Sequence, residues 1–283
     1  VKPKGPRIVP PEVSPGAWAT TYLGSTVGQK VAVAATGLAL VTFLVFHMIG
    51  NLKVFSGQGS LNSYAYFLKH SLGAYVWIAR AGLLAVFVTH VVLAVRLHRL
   101  SAAARPVPYA AKRVAQATLA SRTMLLSGLL VGAFAVFHLA HYTFGVVKPA
   151  VLPVPVRAAY LPERELNQAA PVSPEQTKVV PAGTPVRYLD LRDADGRHDV
   201  YNMVVAGFTN PLVSATYILL QLVLFAHLGH GIQSTFQTLG LKGTRFAPAT
   251  VWLGYGTAAV IVGGNLAIVA GVWAGLCPPV PAS

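Results

Sequence analysis

Apolar residues run together in five stretches long enough to cross a bilayer, and polar residues gather between them. About 20 apolar residues in a helix span the hydrocarbon core. The pattern predicts span I over Val31–Leu52, span II over Gly73–Leu97 and span III over Thr123–Phe144. Span IV runs from Pro211, which suits a first helical turn, to Leu239, where Gly240 is a natural stop. Span V starts near Pro248 and ends near Leu276. Between spans I and II, Leu61, Tyr64, Ala65, Phe67 and Leu68 recur at helical spacing within Ser60–His70, predicting a short interfacial helix. Residues 1–29 read as irregular. Residues 145–206 form a long proline-bearing connection, where Asp195-Gly196 between Tyr188–Leu191 and Val200-Tyr201 suggests a hairpin. No internal repeat stands out. The expected fold class is all-α: an integral membrane bundle of five transmembrane helices over residues 30–276, with 145–206 an extracytoplasmic loop and 277–283 an outer tail.

Composition sharpens this picture. Only 11% of residues are charged, against about 25% in soluble domains. The net charge of +14 is spread between the apolar runs, which points to orientation and anionic lipid and away from nucleic acid. One cysteine, Cys277, excludes a disulfide framework, a CxxCH haem attachment and an iron–sulfur cluster within the chain. The first apolar run starts near Lys30, too far in for an ordinary signal peptide, so a retained first helix is expected. Lys2, Lys4, Arg7 and Lys30 precede span I. Arg96, Arg99, Arg105, Lys112, Arg113 and Arg122 lie around the II–III connection, and Lys242 and Arg245 between IV and V. The I–II connection has only Lys53 and Lys69. The positive-inside rule therefore expects the N-terminus in the cytoplasm and the C-terminus outside; the expected location is the bacterial cytoplasmic membrane.

Six of the nine histidines fall within apolar runs: His47, His90, His138, His141, His227 and His230. Ionisable side chains there are costly and mark function by default, and neutral imidazole is an axial ligand of haem iron. His47 lies about five residues before the outer end of span I, roughly 8 Å deep at ~1.5 Å per residue. His138 sits at a similar depth on span III. His90 and His227 share a deeper layer near the cytoplasmic side. Depth alone thus expects two bis-histidine sites, outer His47/His138 and inner His90/His227. His141 and His230 each follow a candidate by three residues and share its face; each is an alternative ligand, a haem-propionate partner or an edge residue. Arg80 is a candidate for a propionate or quinone carbonyl, or a snorkelling cation. His98 and His198 read as solvated, and His70 lies outside. Gly50, Gly82, Gly128, Gly132, Gly229 and Gly231 suggest close packing near these sites.

The stretches LVFHMIGNLKVF, LNSYAYFLKH, VTHVVLAVRLH, ASRTMLLSG…VFHLAHYTF and FTNP…FAHLGHGIQSTFQTLGLK resemble the cytochrome b membrane-anchor subunit of succinate dehydrogenase. The class is the two-haem, five-helix one shared with certain fumarate reductases, and the resemblance covers about residues 20–275. It implies two haems b, inner on His90 and His227 and outer on His47 and His138. It also implies a flavoprotein and an iron–sulfur subunit on the cytoplasmic face, quinone (menaquinone by analogy) as electron partner, and room for a higher oligomer of the complex. This chain alone has no flavin or cluster motif for succinate chemistry. Some relatives carry a glutamate two residues before the fourth ligand; here it is Phe225. No Asp or Glu occurs between Glu12 and Glu163 or after Asp199, which excludes a carboxylate relay within the bilayer. The rival readings are a haem anchor of hydrogenase or formate dehydrogenase, and a haem-free transporter using histidines for proton coupling.

Overall fold

The computed structural model describes residues 15–105, 118–147, 150–159, 171–241, 243 and 247–282. The expectations for residues 1–14, and for the positions of Lys112, Arg113, Lys242 and Arg245, lie outside the described residues. Among the described residues, five helices are long and apolar enough to cross a membrane. They are α2 (Thr26–Asn51), α4 (Gly73–Ala103), α6 (Met124–His138), α8 (Pro211–Thr238) and α9 (Ala247–Trp273), matching spans I–V. A tight turn, Leu52–Ser56, prolongs α2, the one-turn α5 (Leu119–Arg122) precedes α6, and a wide π turn, Leu139–Thr143, prolongs α6. Ser25 caps α2 by accepting from Gly28 N–H, and Asn210 caps α8 ahead of Pro211. Gly240 takes a left-handed conformation, φ 73°, and stops α8.

The first four spans form a square. Helix α2 packs on α4, α4 on α6, α6 on α8 and α8 on α2, while the diagonals α2/α6 and α4/α8 make no comparable contact. Helix α9 lies against α8 and α2 from outside the square. The α8/α9 contact is close because Gly229 accommodates the Tyr255 ring, and a Cβ on Gly254 would meet the carbonyl of Gly229. Gly50 likewise makes room for Tyr64, whereas nothing approaches Gly82.

Two expectations are corrected. Residues read as irregular include a helix, α1 (Pro15–Gly24), with proline at its start, where its missing N–H costs nothing. The long connection is a folded cap. It carries β1 (Ala150–Val151) with β4 (Pro185–Val186), and β2 (Val156–Ala158) between β3 (Lys178–Val180) and β5 (Leu191–Arg192). It ends in α7 (Val200–Thr209). The expected hairpin shrinks to one bridge, Arg192 to His198, because the Asp193 carboxylate closes the turn by accepting from the N–H groups of Asp195 and Arg197. Leu152, Val156, Ala158, Val186, Tyr188 and Leu191 give the cap its own buried core.

The interfacial helix α3 (Gln58–Tyr66) ties the cap to the bundle. Asn62, fully buried, donates to Asp193 and Asp199 and accepts from Tyr201 N–H. Asp199 caps α7 through Asn202 N–H and also accepts from Gln58 and the Asn202 side chain. Burial pushes the Asp199 carboxyl up, against these four donors, which hold it down. The C-terminal residues fold onto the same end: Asn202 exchanges two hydrogen bonds with Val280, and Ala282 N–H reaches Pro155 O.

Candidate functional site: two histidine pairs on the diagonals

The four histidines singled out by depth lie on the two diagonals of the square. His47 (α2) and His138 (α6) meet across one, ring centroids 5.7 Å apart and planes at 85°. His90 (α4) and His227 (α8) lie on the other diagonal, close enough to interact electrostatically. Helices held apart on a diagonal leave the bundle axis to side chains.

The deeper pair is held in one way on both sides. Thr36 Oγ1 lies 3.1 Å from His90 Nδ1, and Ser127 Oγ lies 3.1 Å from His227 Nδ1. A hydroxyl has one proton. Thr36 gives its proton to Ala32 O at 2.7 Å, and Ser127 to Met124 O at 3.0 Å. Each hydroxyl must therefore accept, so each histidine carries its proton on Nδ1 and leaves the Nε2 lone pair bare. That is the tautomer a metal ligand needs, fixed by an outer hydrogen bond. The next residue in both helices is glycine. A Cβ on Gly37 would stand 3.1 Å from His90 Cε1, and one on Gly128 3.1 Å from His227 Cε1. Glycine lets each imidazole lie this close to the neighbouring backbone; a Cβ would force the ring to give by a few tenths of an ångström.

This likeness exposes a repeat, contrary to the expectation of none. Thr36–His47, TGLALVTFLVFH, aligns with Ser127–His138, SGLLVGAFAVFH, at a constant offset of 91, with six of twelve residues identical. Each motif sets a hydroxyl–glycine pair eleven residues before a histidine. The pair α2/α4 thus corresponds to α6/α8, and each histidine pair joins equivalent residues about one axis. His90 and His227 are 137 apart, because the second half contains the cap. The match is confined to one helix per half, which hides it in the apolar background. Thr36, Gly37 and Ser127 were missed in the sequence for that reason.

The shallower pair has other neighbours. His47 stacks on Phe43, centroids 5.3 Å apart. His138 Nδ1 lies 3.2 Å from Tyr217 Oη. His141 sits in the π turn, wholly buried, with Nδ1 3.1 Å from Tyr217 Oη and Nε2 3.3 Å from Tyr188 Oη. Both His141 nitrogens are occupied, whereas His138 is hydrogen-bonded through Nδ1 and its Nε2 has no partner among the described residues. The ring of Tyr142 stacks on His141 at 4.0 Å. Tyr188 comes from the cap and was read only as part of a hairpin; Tyr217, on α8, drew no notice, because a tyrosine in an apolar run reads as packing.

The remaining candidates separate from this centre. His230 lies one turn past His227, half-buried and within electrostatic reach of it. Arg80 is exposed and stacks over Trp77 at 4.8 Å, consistent with an interfacial cation. His198, expected in solvent, is half-buried instead: Nε2–H donates to Tyr188 O at 3.1 Å, and Nδ1 faces Lys69 Nζ at 3.3 Å. Burial and the charges of Lys69 and Arg192 push its pKa down to about 3. Lys69 falls to about 8 through burial and the charges of Arg80 and Arg192.

Each pair offers two imidazoles, which suits a metal whose other ligands come from a macrocycle. With a metal–imidazole bond of about 2.0 Å, two rings on one iron keep their centres roughly 6 Å apart. The outer pair already stands at 5.7 Å. The residues therefore fit a haem at this position. Among the described residues no three His, Cys, Asp or Glu side chains gather to hold a bare ion. Compared with protein-family models, curated proteins and solved structures, the chain matches none of them.

Proposed function

We propose that this chain is a di-haem cytochrome b membrane anchor of a succinate:quinone oxidoreductase. The observation that carries the proposal is the pairing of His47 with His138 and of His90 with His227 on the two bundle diagonals, two layers along one axis. His47 and His138 would hold the outer haem; His90 and His227, preset as Nε2 ligands by Thr36 and Ser127, would hold the inner one. Haem at both levels supplies two one-electron stations between the membrane faces. His141 is a structural neighbour of the outer station, since both its nitrogens are engaged.

Charge supports the orientation with the N-terminus in the cytoplasm. Lys30, Arg96, Arg99, Arg105 and Arg122 cluster at the end opposite the cap, and no acidic residue accompanies them among the described residues. The cap and tail then lie outside the bacterial cytoplasmic membrane. The basic end is the docking face for an iron–sulfur subunit and its flavoprotein, and quinone, menaquinone by analogy, is the electron partner. Water, histidine, tyrosine or a residue near the outer loop must handle quinone protons, because the bilayer portion has no carboxylate.

The test is to isolate the chain with its native partners and add succinate anaerobically. Co-purifying flavin and iron–sulfur centres, with haem reduced by succinate and reoxidised by quinone, are expected. Haem that hydrogen or formate reduces and succinate does not would assign the anchor to another dehydrogenase.

A further inference from the structure

The Tyr217 hydroxyl stands between two histidine nitrogens, 3.2 Å from His138 Nδ1 and 3.1 Å from His141 Nδ1. It has one proton to give. If His138 binds through Nε2, its proton is on Nδ1, and the acceptor is Tyr217 Oη. The Tyr217 proton must then go to His141 Nδ1. His141 keeps its proton on Nε2, which donates to Tyr188 Oη at 3.3 Å. Four groups thus form one chain of a single polarity: His138, Tyr217, His141, Tyr188. The opposite polarity would place the His138 proton on Nε2 and block ligation.

Among the described residues Tyr217 is the hydroxyl that bonds His138; the neighbouring Tyr142 ring, 5.7 Å from His138, makes no such bond. The Tyr217 side chain is buried, and the rings of Phe134, Phe137 and Phe208 crowd it at 5.1–5.9 Å. The inner histidines differ, because the protons of Thr36 and Ser127 end on carbonyls of their own helices. In the outer layer the bonds continue through two further side chains into the cap. Successive bonds polarise one another.

We infer that Tyr217, aligned by His141 and Tyr188, is the positioning residue of the outer site. It fixes His138 in the ligating tautomer and, by accepting from Nδ1–H, raises the basicity of that ligand. A more basic imidazole favours ferric iron, so Tyr217 holds the outer midpoint potential down. This rests on the haem reading above.

The experiment is a spectroelectrochemical titration of the assembled complex carrying Tyr217→Phe. The haem lost in His47→Ala identifies the outer signal. Two haems should remain. The outer one should shift about tenfold toward the ferrous form, a rise of about 59 mV for one electron, with the inner one unmoved. Two haems with both potentials unchanged would overturn the inference. If the outer haem is lost outright, Tyr188→Phe decides, because it leaves Tyr217 in place: a smaller rise supports the chain, and no change overturns it. A parent protein without haem fails the haem reading itself, a result seen before any variant is titrated.

Discussion

The two histidine pairs share an axis and are secured differently. The inner pair is held by repetition: a hydroxyl and a glycine on α2 serve His90, and their counterparts on α6 serve His227. All four helices of the square contribute, and nothing from the cap is needed. The outer pair joins the equivalent residues His47 and His138, yet its surroundings are lopsided. His138 has Tyr217, His141 and, through Tyr188, the cap, while His47 has an aromatic stack. At the position equivalent to His141 the first half has Gly50, which admits Tyr64. A duplicated frame can thus present two like sites and let one acquire a connection to the loop domain that the other lacks.

The comparison can be broken most sharply at the glycines. Gly128→Leu or Gly37→Leu would drive a side chain into an imidazole whose Cε1 stands 3.1 Å from the substituted Cβ position. Either is expected to abolish inner haem binding and spare the outer, as counted by pyridine haemochrome with difference spectra. Equal loss of both signals would mean that the glycines serve global packing. The converse perturbation is Asp199→Ala. It leaves the donors of Gln58, Asn62 and Asn202 facing a void, at a cost of about 3 kcal/mol to the cap. Outer haem spectra should change, inner spectra should not, and limited proteolysis should cut the cap faster.

Much of this architecture was legible in the sequence. The five spans follow from apolar length alone, and the histidine layers from counting residues at 1.5 Å rise along antiparallel helices. The short helix bearing Asn62 was legible from spacing. The cap was not, because its strands are two or three residues long and held by side chains such as Asp193 and Asp199, for which no periodicity exists. Thr36 and Ser127 were invisible for another reason. A hydroxyl residue in a membrane helix ordinarily satisfies itself on its own backbone, and only the facing histidine gives it a second task. His198 misled because its surroundings depend on Lys69, far away in sequence, and on the Tyr188 carbonyl that the cap brings back to it.

Acidification should distinguish the two sites more gently. Below pH 6.5 an unfolded cap protonates His198, while the folded cap, with this group at about 3, does not. The unfolded state then binds more protons, so cap stability falls as pH drops through 6.5 toward 3. Lys69 and Arg192 face His198 and oppose its charging. Asp199, pushed up by burial, acts in the opposite sense at the acid end, so the effect is best read just below pH 6.5. Proteolysis of the cap should quicken there, and His198→Gln should flatten the profile. The smallest expected effect comes from Thr36→Val and Ser127→Ala. Each removes one hydrogen bond worth about 1 kcal/mol and should raise the inner potential by similar amounts, since the two environments are equivalent. Unequal shifts would show that the repeat is one of sequence and not of function.

The most direct test of the central claim is haem stoichiometry in the purified complex, with each axial histidine replaced in turn by alanine. Two b haems per chain are expected in the parent. His90→Ala and His227→Ala should each remove the same haem, and His47→Ala and His138→Ala the other, while His141→Ala leaves both iron ligations in place. A folded, assembled complex that contains no haem, or whose losses pair the histidines in any other way, would contradict the account.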